Sequence, residues 1–222
     1  MMLPRGVSFF HDVRQWLGGW RFDVIFDVGA NVGQSAHVFA EENPQAQIYC
    51  FEPVARAHEE LMRNVSYLPK VSTFQLAMGA SVGRGIIHVG KETSLASMEK
   101  RAPDDREEFV DVTTVDAVCA GHGIKSIDLL KVDAEGHDLA VLQGARDMLG
   151  KGAVSFVQVE ASFYAGDPRF VCLDRAVAML NDLGYEVFGI YDQMPHPTGR
   201  PSVAYFNAVF VNRKLLKEPA WR

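Results

Sequence analysis

Four side chains able to move a proton or hold a hard cation fall just past two apolar runs. Asp133, Glu135 and His137 follow a strand expected over residues 127–133, and Glu160 ends one expected over 153–160. Asp133, Glu135 or His137 can take the proton from a hydroxyl as general base, which matters because an unactivated alcohol is a poor nucleophile. In the alternative, Asp133 and Glu160, with His137, hold a divalent cation such as Mg2+, which suits oxygen ligands and lowers the hydroxyl's pKa. These two segments lack the tight D-x-D or H-x-E cluster that would favour the metal. Glu135 and Asp138 also suit a helix start, where capping and the helix dipole favour acids.

A second constellation lies upstream. Phe22 to Val28 is almost wholly apolar, as expected of a strand buried on both faces of a parallel sheet, and Asp27 stands at its carboxyl end. Gly29 and Gly33 bracket a tight turn in which the backbone can approach a ligand closely. Val32, Ala36, Phe39 and Ala40 then recur at helical spacing, so the turn opens on a helix N-terminus whose N–H groups can meet a carboxylate or phosphate. Asn31 occupies the place of the second glycine in the dinucleotide fingerprint G-x-G-x-x-G, which counts against a nucleotide-dependent oxidoreductase. Glu52 ends the next strand, where its carboxylate can accept hydrogen bonds from both hydroxyls of a ribose.

The elements that must position these residues alternate. Strands over 22–28, 46–52 and 71–78 are separated by helices over 33–42 and 54–65. Further strands follow near 86–89 and 109–114, then 127–133 and 153–160 around a helix over 137–149. A helix through Leu173, Ala176, Val177, Leu180 and Leu183 precedes two apolar runs, Tyr185–Tyr191 and Tyr205–Val211, read as an antiparallel pair. The fold expected is α/β: a seven-stranded, mostly parallel Rossmann-like sheet with an antiparallel C-terminal strand and helices on both faces. One domain accounts for the chain, with an N-terminal helical extension over 1–21, a cofactor-binding core over 22–160 and a C-terminal helix and hairpin over 161–222. In the extension, Phe9, Val13, Trp16 and Leu17 suggest a helix that covers one end of the sheet and stops at Gly18-Gly19.

A formal charge of −6 and 48% hydrophobic residues fit a globular domain and argue against a nucleic-acid surface, which carries a basic footprint. No apolar run approaches the length of a membrane span, and no signal pattern opens the chain. Cys50, Cys119 and Cys172 are odd in number and lack metal-ligand companions, so reduced thiols in a cytoplasmic protein are expected.

Four segments carry a family resemblance: Asp27-Val-Gly-Ala-Asn-Val-Gly-Gln34, Phe51-Glu-Pro53, Val112-Thr-Thr-Val-Asp116 and Ile127 to Ala145 with its Lys131-Val-Asp-Ala-Glu-Gly-His137. In this order and spacing they resemble the FkbM family of S-adenosylmethionine-dependent methyltransferases, over roughly residues 22–160. The resemblance implies a class I methyltransferase fold and O-methylation of a hydroxyl on a small molecule or sugar. By motif, Asp27, Gly29, Ala30, Asn31, Gly33, Gln34 and Ser35 would hold the methionine end of S-adenosylmethionine, with Asp133 beside the methyl group. Glu52 would bind the ribose, Phe51 and Pro53 would flank the sugar or adenine, and Ala77 and Met78, ending the third strand, would touch the adenine.

Lys131 lies inside a strand, where a charge is costly unless it finds a partner or reaches an open edge, and a salt bridge to a strand-end carboxylate such as Glu160 is expected. Acceptor specificity is expected in segments outside the resemblance: a lid over 91–108, Phe163 to Arg169, and the loop over 192–203, with Tyr164, Arg169, His196 and Arg200 as candidates. A S-adenosylmethionine-binding protein without transfer activity is the remaining alternative.

Overall fold

The computed structural model describes residues 4–90, 96–97, 106–165, 168–196 and 199–216. In chain order it comprises α1 (Phe9–Trp16), β1 (Val24–Val28), α2 (Gln34–Glu42), β2 (Gln47–Phe51), α3 (Ala55–Val65), β3 (Val71–Phe74), β4 (Ala77–Met78), β5 (Gly83–Val89), β6 (Ala96–Ser97) and β7 (Arg106–Thr113). There follow α4 (Val115–His122), β8 (Ile127–Val132), α5 (Asp138–Gly144), α6 (Arg146–Lys151), β9 (Val154–Ser162), β10 (Val171–Cys172), α7 (Leu173–Asp182), β11 (Tyr185–Pro195) and β12 (Val203–Asn212).

The apolar runs of β1 and β8 place them at the centre of a sheet ordered β11-β12-β9-β8-β1-β2-β3. Strands β3, β2, β1, β8 and β9 run parallel, and β12 is antiparallel to both β9 and β11. The sheet has eight strands rather than the expected seven, because the two-residue β10 pairs with β9 off the main path. Alternation along each strand sends side chains to opposite faces. Ile25, Ile48, Leu129 and Phe156 meet α1, α2 and α3 on one face, while Phe26, Leu130, Val132 and Val157 meet the helices α4 to α7 on the other.

Several boundaries differ from expectation. The third strand stops at Phe74, and Ala77–Met78 belongs to a second sheet ordered β4-β7-β5-β6. Strand β7 starts at Arg106, so residues 106–108 are strand; the rest of the expected lid, apart from β6, lies outside the described residues. The helix expected over 137–149 divides into α5 and α6 at Ala145. Helix α1 packs on a face of the sheet instead of its end: Phe9 contacts the rings of Phe22, Phe156, Phe188 and Tyr191, whereas Trp16 is 60% exposed.

Candidate active site

Parallel strands that end on the same side bring the turn after β1 and the turn after β8 together. Asp27 pairs in register with Lys131, and the Asp133 N–H continues the ladder by donating to the Val28 carbonyl at 3.1 Å. Lys131 and Asp133 are two residues apart and so share a side. The Lys131 ammonium reaches Asp27 Oδ1 at 3.0 Å, Asp133 Oδ2 at 3.3 Å and the Gly29 carbonyl at 3.1 Å. Its partners are therefore strand-end carboxylates, as expected, but they are Asp27 and Asp133 rather than Glu160. Burial works against the Lys131 charge, but attraction to Asp27 and Asp133 outweighs it and raises the pKa. Asp27 is fully buried, and burial raises its pKa against the pull of Lys131. Its Oδ1 pairs with Lys131, and its Oδ2 is buried without a hydrogen-bond partner among the described residues.

The turn itself needs glycine. Gly29 has φ +73, and a Cβ there would lie 1.8 Å from the Asp133 carbonyl oxygen. The Gly29 and Ala30 N–H groups both donate to the Phe51 carbonyl, at 3.0 and 3.1 Å. Asn31 stands at φ +47, its N–H donates to Glu52 Oε2 at 2.9 Å, and its side-chain Oδ1 is buried without a hydrogen-bond partner among the described residues. Gly33 caps α2 at φ 101 with no side-chain hydrogen bond, leaving the first turn, Gln34 and Ser35 included, open to an anion. An orphaned acceptor beside an uncapped helix start fits the ammonium and carboxylate of an amino-acid end.

Glu52 closes the arrangement from β2. It is 6% exposed and accepts from Asn31 N at one oxygen and from Val54 N, 2.9 Å away, at the other. Burial pushes its pKa up to about 7 against those two bonds. Spare lone pairs on both oxygens leave it able to accept from a ribose diol. Pro53 beside it is half-buried. The remaining adenosine-side residues are core. Phe51 is 1% exposed and stacks on Phe74 at 5.2 Å, so its contribution to the turn is its carbonyl. Met78 packs with Phe51 and Val115, and Ala77 packs with Val54 and Ile87. Both side chains are buried, and the chain has left β3 for the second sheet where they stand.

Past β8 the backbone turns sharply at Glu135 (φ 49) and Gly136 (φ 97). Asp138 holds this turn, accepting from Ala134 N at 3.2 Å and Gly136 N at 3.3 Å, which makes it structural; burial lifts its pKa to about 6. His137 occupies the N-cap position of α5, where its carbonyl accepts from Ala140 and Val141. Glu160, near the end of β9 and half-buried, comes level with Asp133 in the β8–β9 register, one residue past the Val132–Val159 pair. Its pKa is raised to about 8, first by burial and then by the negative charges of Asp133, Glu135 and Asp138, with Lys131 opposing. Among the described residues no three His, Cys, Asp or Glu side chains converge as metal ligands.

Two aromatic residues absent from the sequence-derived candidates adjoin these acids. Tyr205, at the start of β12, stacks on Phe170 with centroids 4.5 Å apart and planes 17° from parallel. Only an aromatic residue heading an apolar strand hinted at Tyr205. Tyr164 is 56% exposed, and Arg169 sits over the Phe170 ring, 5.0 Å from its centroid. His196 and Arg200 lie beyond the end of β11, in the connection to β12.

A mostly parallel sheet with an antiparallel β12, and a glycine turn and two acidic strand ends on one rim, defines the class I methyltransferase fold. The solved structure of M. capricolum TrmK with S-adenosyl-homocysteine superposes with a TM-score of 0.53, at 11% identity, covering 100% of this chain and 74% of that one. The chain belongs to the family described as the methyltransferase FkbM domain, whose model matches residues 27–187. It is similar to the 2-O-methyltransferase NoeI of Sinorhizobium fredii, 29% identical over 155 residues, covering 63% of each protein. It is also 29% identical over 150 residues to the hexuronic acid methyltransferase AglP of Haloferax volcanii, covering 67% of this chain and 59% of AglP. The chain thus spans about six-tenths of the length of these relatives. No helix among the described residues is long and apolar enough to cross a membrane.

Proposed function

We propose that this chain is a S-adenosylmethionine-dependent O-methyltransferase acting on a hydroxyl of a small molecule or sugar. Family membership and the activities of NoeI and AglP support the class. One observation carries the chemistry: Glu160, a half-buried carboxyl poised to exchange a proton near neutral pH, stands beside Asp133 at the rim of the glycine turn. Asn31, Gly33, Gln34 and Ser35 receive the methionine end, and Glu52 and Pro53 the ribose. Bound there, S-adenosylmethionine supplies a methyl group on a sulfonium, whose carbon–sulfur electron pair stays on sulfur as the carbon bonds to the acceptor oxygen. Glu160 takes the proton the hydroxyl loses. Asp133, anchored at one oxygen by Lys131, orients that hydroxyl, and the alignment lowers the barrier. Three free thiols suit a reducing compartment, so we place the activity in the cytoplasm.

The pH dependence tests Glu160, which faces Lys131, Asp133, Glu135, Asp138 and, from β12, Tyr205 with Arg169 near it. Turnover is expected to rise with pH up to about 8 as Glu160 loses its proton. Glu160→Gln should cost about 10²–10⁴-fold in kcat and abolish that limb. Stability moves the opposite way. A raised carboxyl pKa stabilises fully below its unfolded value of 4.5, and the contribution disappears as pH rises through about 8. The melting temperature of the ligand-free wild type should therefore fall over that window, and less so for Glu160→Gln. An unchanged pH–rate profile in the variant would remove Glu160 from the proton path.

Cofactor identity is tested separately by thermal shift. At a hundredfold excess over Kd, S-adenosylmethionine or S-adenosylhomocysteine should stabilise the protein by about 2.7 kcal/mol. NAD(P) should give no shift, because Asn31 stands where a pyrophosphate would need glycine, and Glu52→Ala should abolish the S-adenosylhomocysteine shift. Equal protection by NAD would sink this reading.

A further inference from the structure

The acidic rim has one aromatic side. Phe206 pairs with Ala161 and Asn207 with Glu160, so Tyr205 projects from β12 just beyond the level at which Glu160 leaves β9. Phe170 lies flat against the Tyr205 ring, and both residues are half-buried, leaving ring surface exposed. The segment carrying Phe170 is fixed against the catalytic turn: a Cβ on Gly136 would lie 2.1 Å from the Pro168 carbonyl oxygen, so the two backbones touch. The phenol of Tyr205 also feels the charges of Glu160, Asp133 and Glu135. A stacked ring pair and a row of carboxyls thus meet at one point of the rim.

Taking the O-methyltransferase reading as its basis, we propose that Tyr205, backed by Phe170, is the acceptor wall, with the C–H face of a neutral sugar ring packed on the outer face of Tyr205 while Glu160 engages the hydroxyl to be methylated. Flat aromatic faces suit the apolar face of a pyranose, and carboxyls suit its hydroxyls as hydrogen-bond acceptors. Charge selects within the sugars. Asp133, Glu135, Asp138 and Glu160 all act on one another's neighbourhood, and Lys131 is already committed to Asp27 and Asp133. Once Glu160 has lost its proton, a uronate or sugar phosphate entering this field is repelled, with Arg169 over Phe170 the nearby opposing charge.

The experiment uses the full chain, labelled S-adenosylmethionine, a panel of neutral methyl pyranosides and methyl glucuronide. Transfer to at least one neutral glycoside is expected, with glucuronide poorer. Tyr205→Leu should raise the glycoside KM about tenfold, the equivalent of one lost ring contact. Tyr205→Phe, which keeps the face, should raise that KM less than Tyr205→Leu does. The KM for S-adenosylmethionine and the S-adenosylhomocysteine thermal shift should be unchanged in both variants, which shows that they fold. An unaltered glycoside KM in Tyr205→Leu overturns the wall while leaving O-methylation standing. Preference for glucuronide overturns the neutral-sugar assignment. Transfer to none of the panel overturns the sugar acceptor, and S-adenosylmethionine failing to bind the wild type is the separate signature of a failed methyltransferase reading.

Discussion

Replacing Lys131 with methionine is expected to destabilise the protein by about 3–5 kcal/mol, the range for removing one member of a buried ion pair. The asymmetry between its two partners explains why. The Asp133 side chain is 33% exposed and can turn to water, whereas that of Asp27 is 0% exposed and, among the described residues, pairs with no other cation. Asp27 would have to take up a proton, so the variant should be more stable at pH 5 than at pH 8. The sign follows from the raised pKa: the carboxyl stabilises the fold below its unfolded value of 3.8 and that contribution is lost as pH rises through the folded one. The double variant Lys131→Met, Asp27→Leu should recover much of the stability, since two apolar groups can replace a buried pair. Activity should not return with it, because the Gly29 carbonyl and Asp133 have lost their common anchor. Urea denaturation of the two variants checks this, and a single variant as stable as wild type would show that Asp27 is not charged in the fold.

How much of this was visible in the sequence depends on what each feature needs. Strands β1, β8 and β9 were legible because burial on both faces demands unbroken apolar runs, and the glycine turn because positive φ and close approach demand glycine. The second sheet was legible only in part. The apolar ends of β5 and β7 were expected as strands near 86–89 and 109–114, but β5 begins Gly-Arg-Gly, β7 begins Arg-Glu-Glu, and β4 and β6 have two residues each, so neither length nor alternation announces the rest. Composition also fails to say which way a strand-end residue points. Phe51 and Met78 sit at the positions the motif gives to adenosine, yet both face inward, and only the carbonyl of Phe51 reaches the turn. The partner of Lys131 was missed for a related reason. A buried lysine advertises that a carboxylate must exist, but register between strands far apart in sequence decides which one. Glu160 remained a plausible neighbour until that register placed Asp27 directly opposite.

Gly29→Ala should be the most damaging single methyl group that can be added to this chain near the cofactor turn. Two penalties coincide there: φ +73, which an alanine adopts at a cost of about 1–2 kcal/mol, and a Cβ 1.8 Å from the carbonyl oxygen of Asp133. The obstructing atoms are backbone at the end of a central strand, so no rotamer change relieves them. Relief requires the β1 and β8 ends to separate, which breaks the Asp133 N–H to Val28 bond and pulls the Gly29 carbonyl from Lys131. Gly123→Ala isolates the first penalty, since φ is +68 there and nothing lies within 4 Å. Gly33→Ala is intermediate: φ is +101, but the nearest atoms are Leu61 Cδ1 and Val65 Cγ1, tips of side chains that can shift. The expected order of lost stability is Gly29 well beyond Gly33, and Gly33 at or above Gly123. Only the turn variants should also lose S-adenosylhomocysteine protection, with Gly29→Ala losing it completely. Should Gly29→Ala and Gly123→Ala melt alike and bind ligand alike, the contact between the β1 turn and Asp133 is not what shapes the site.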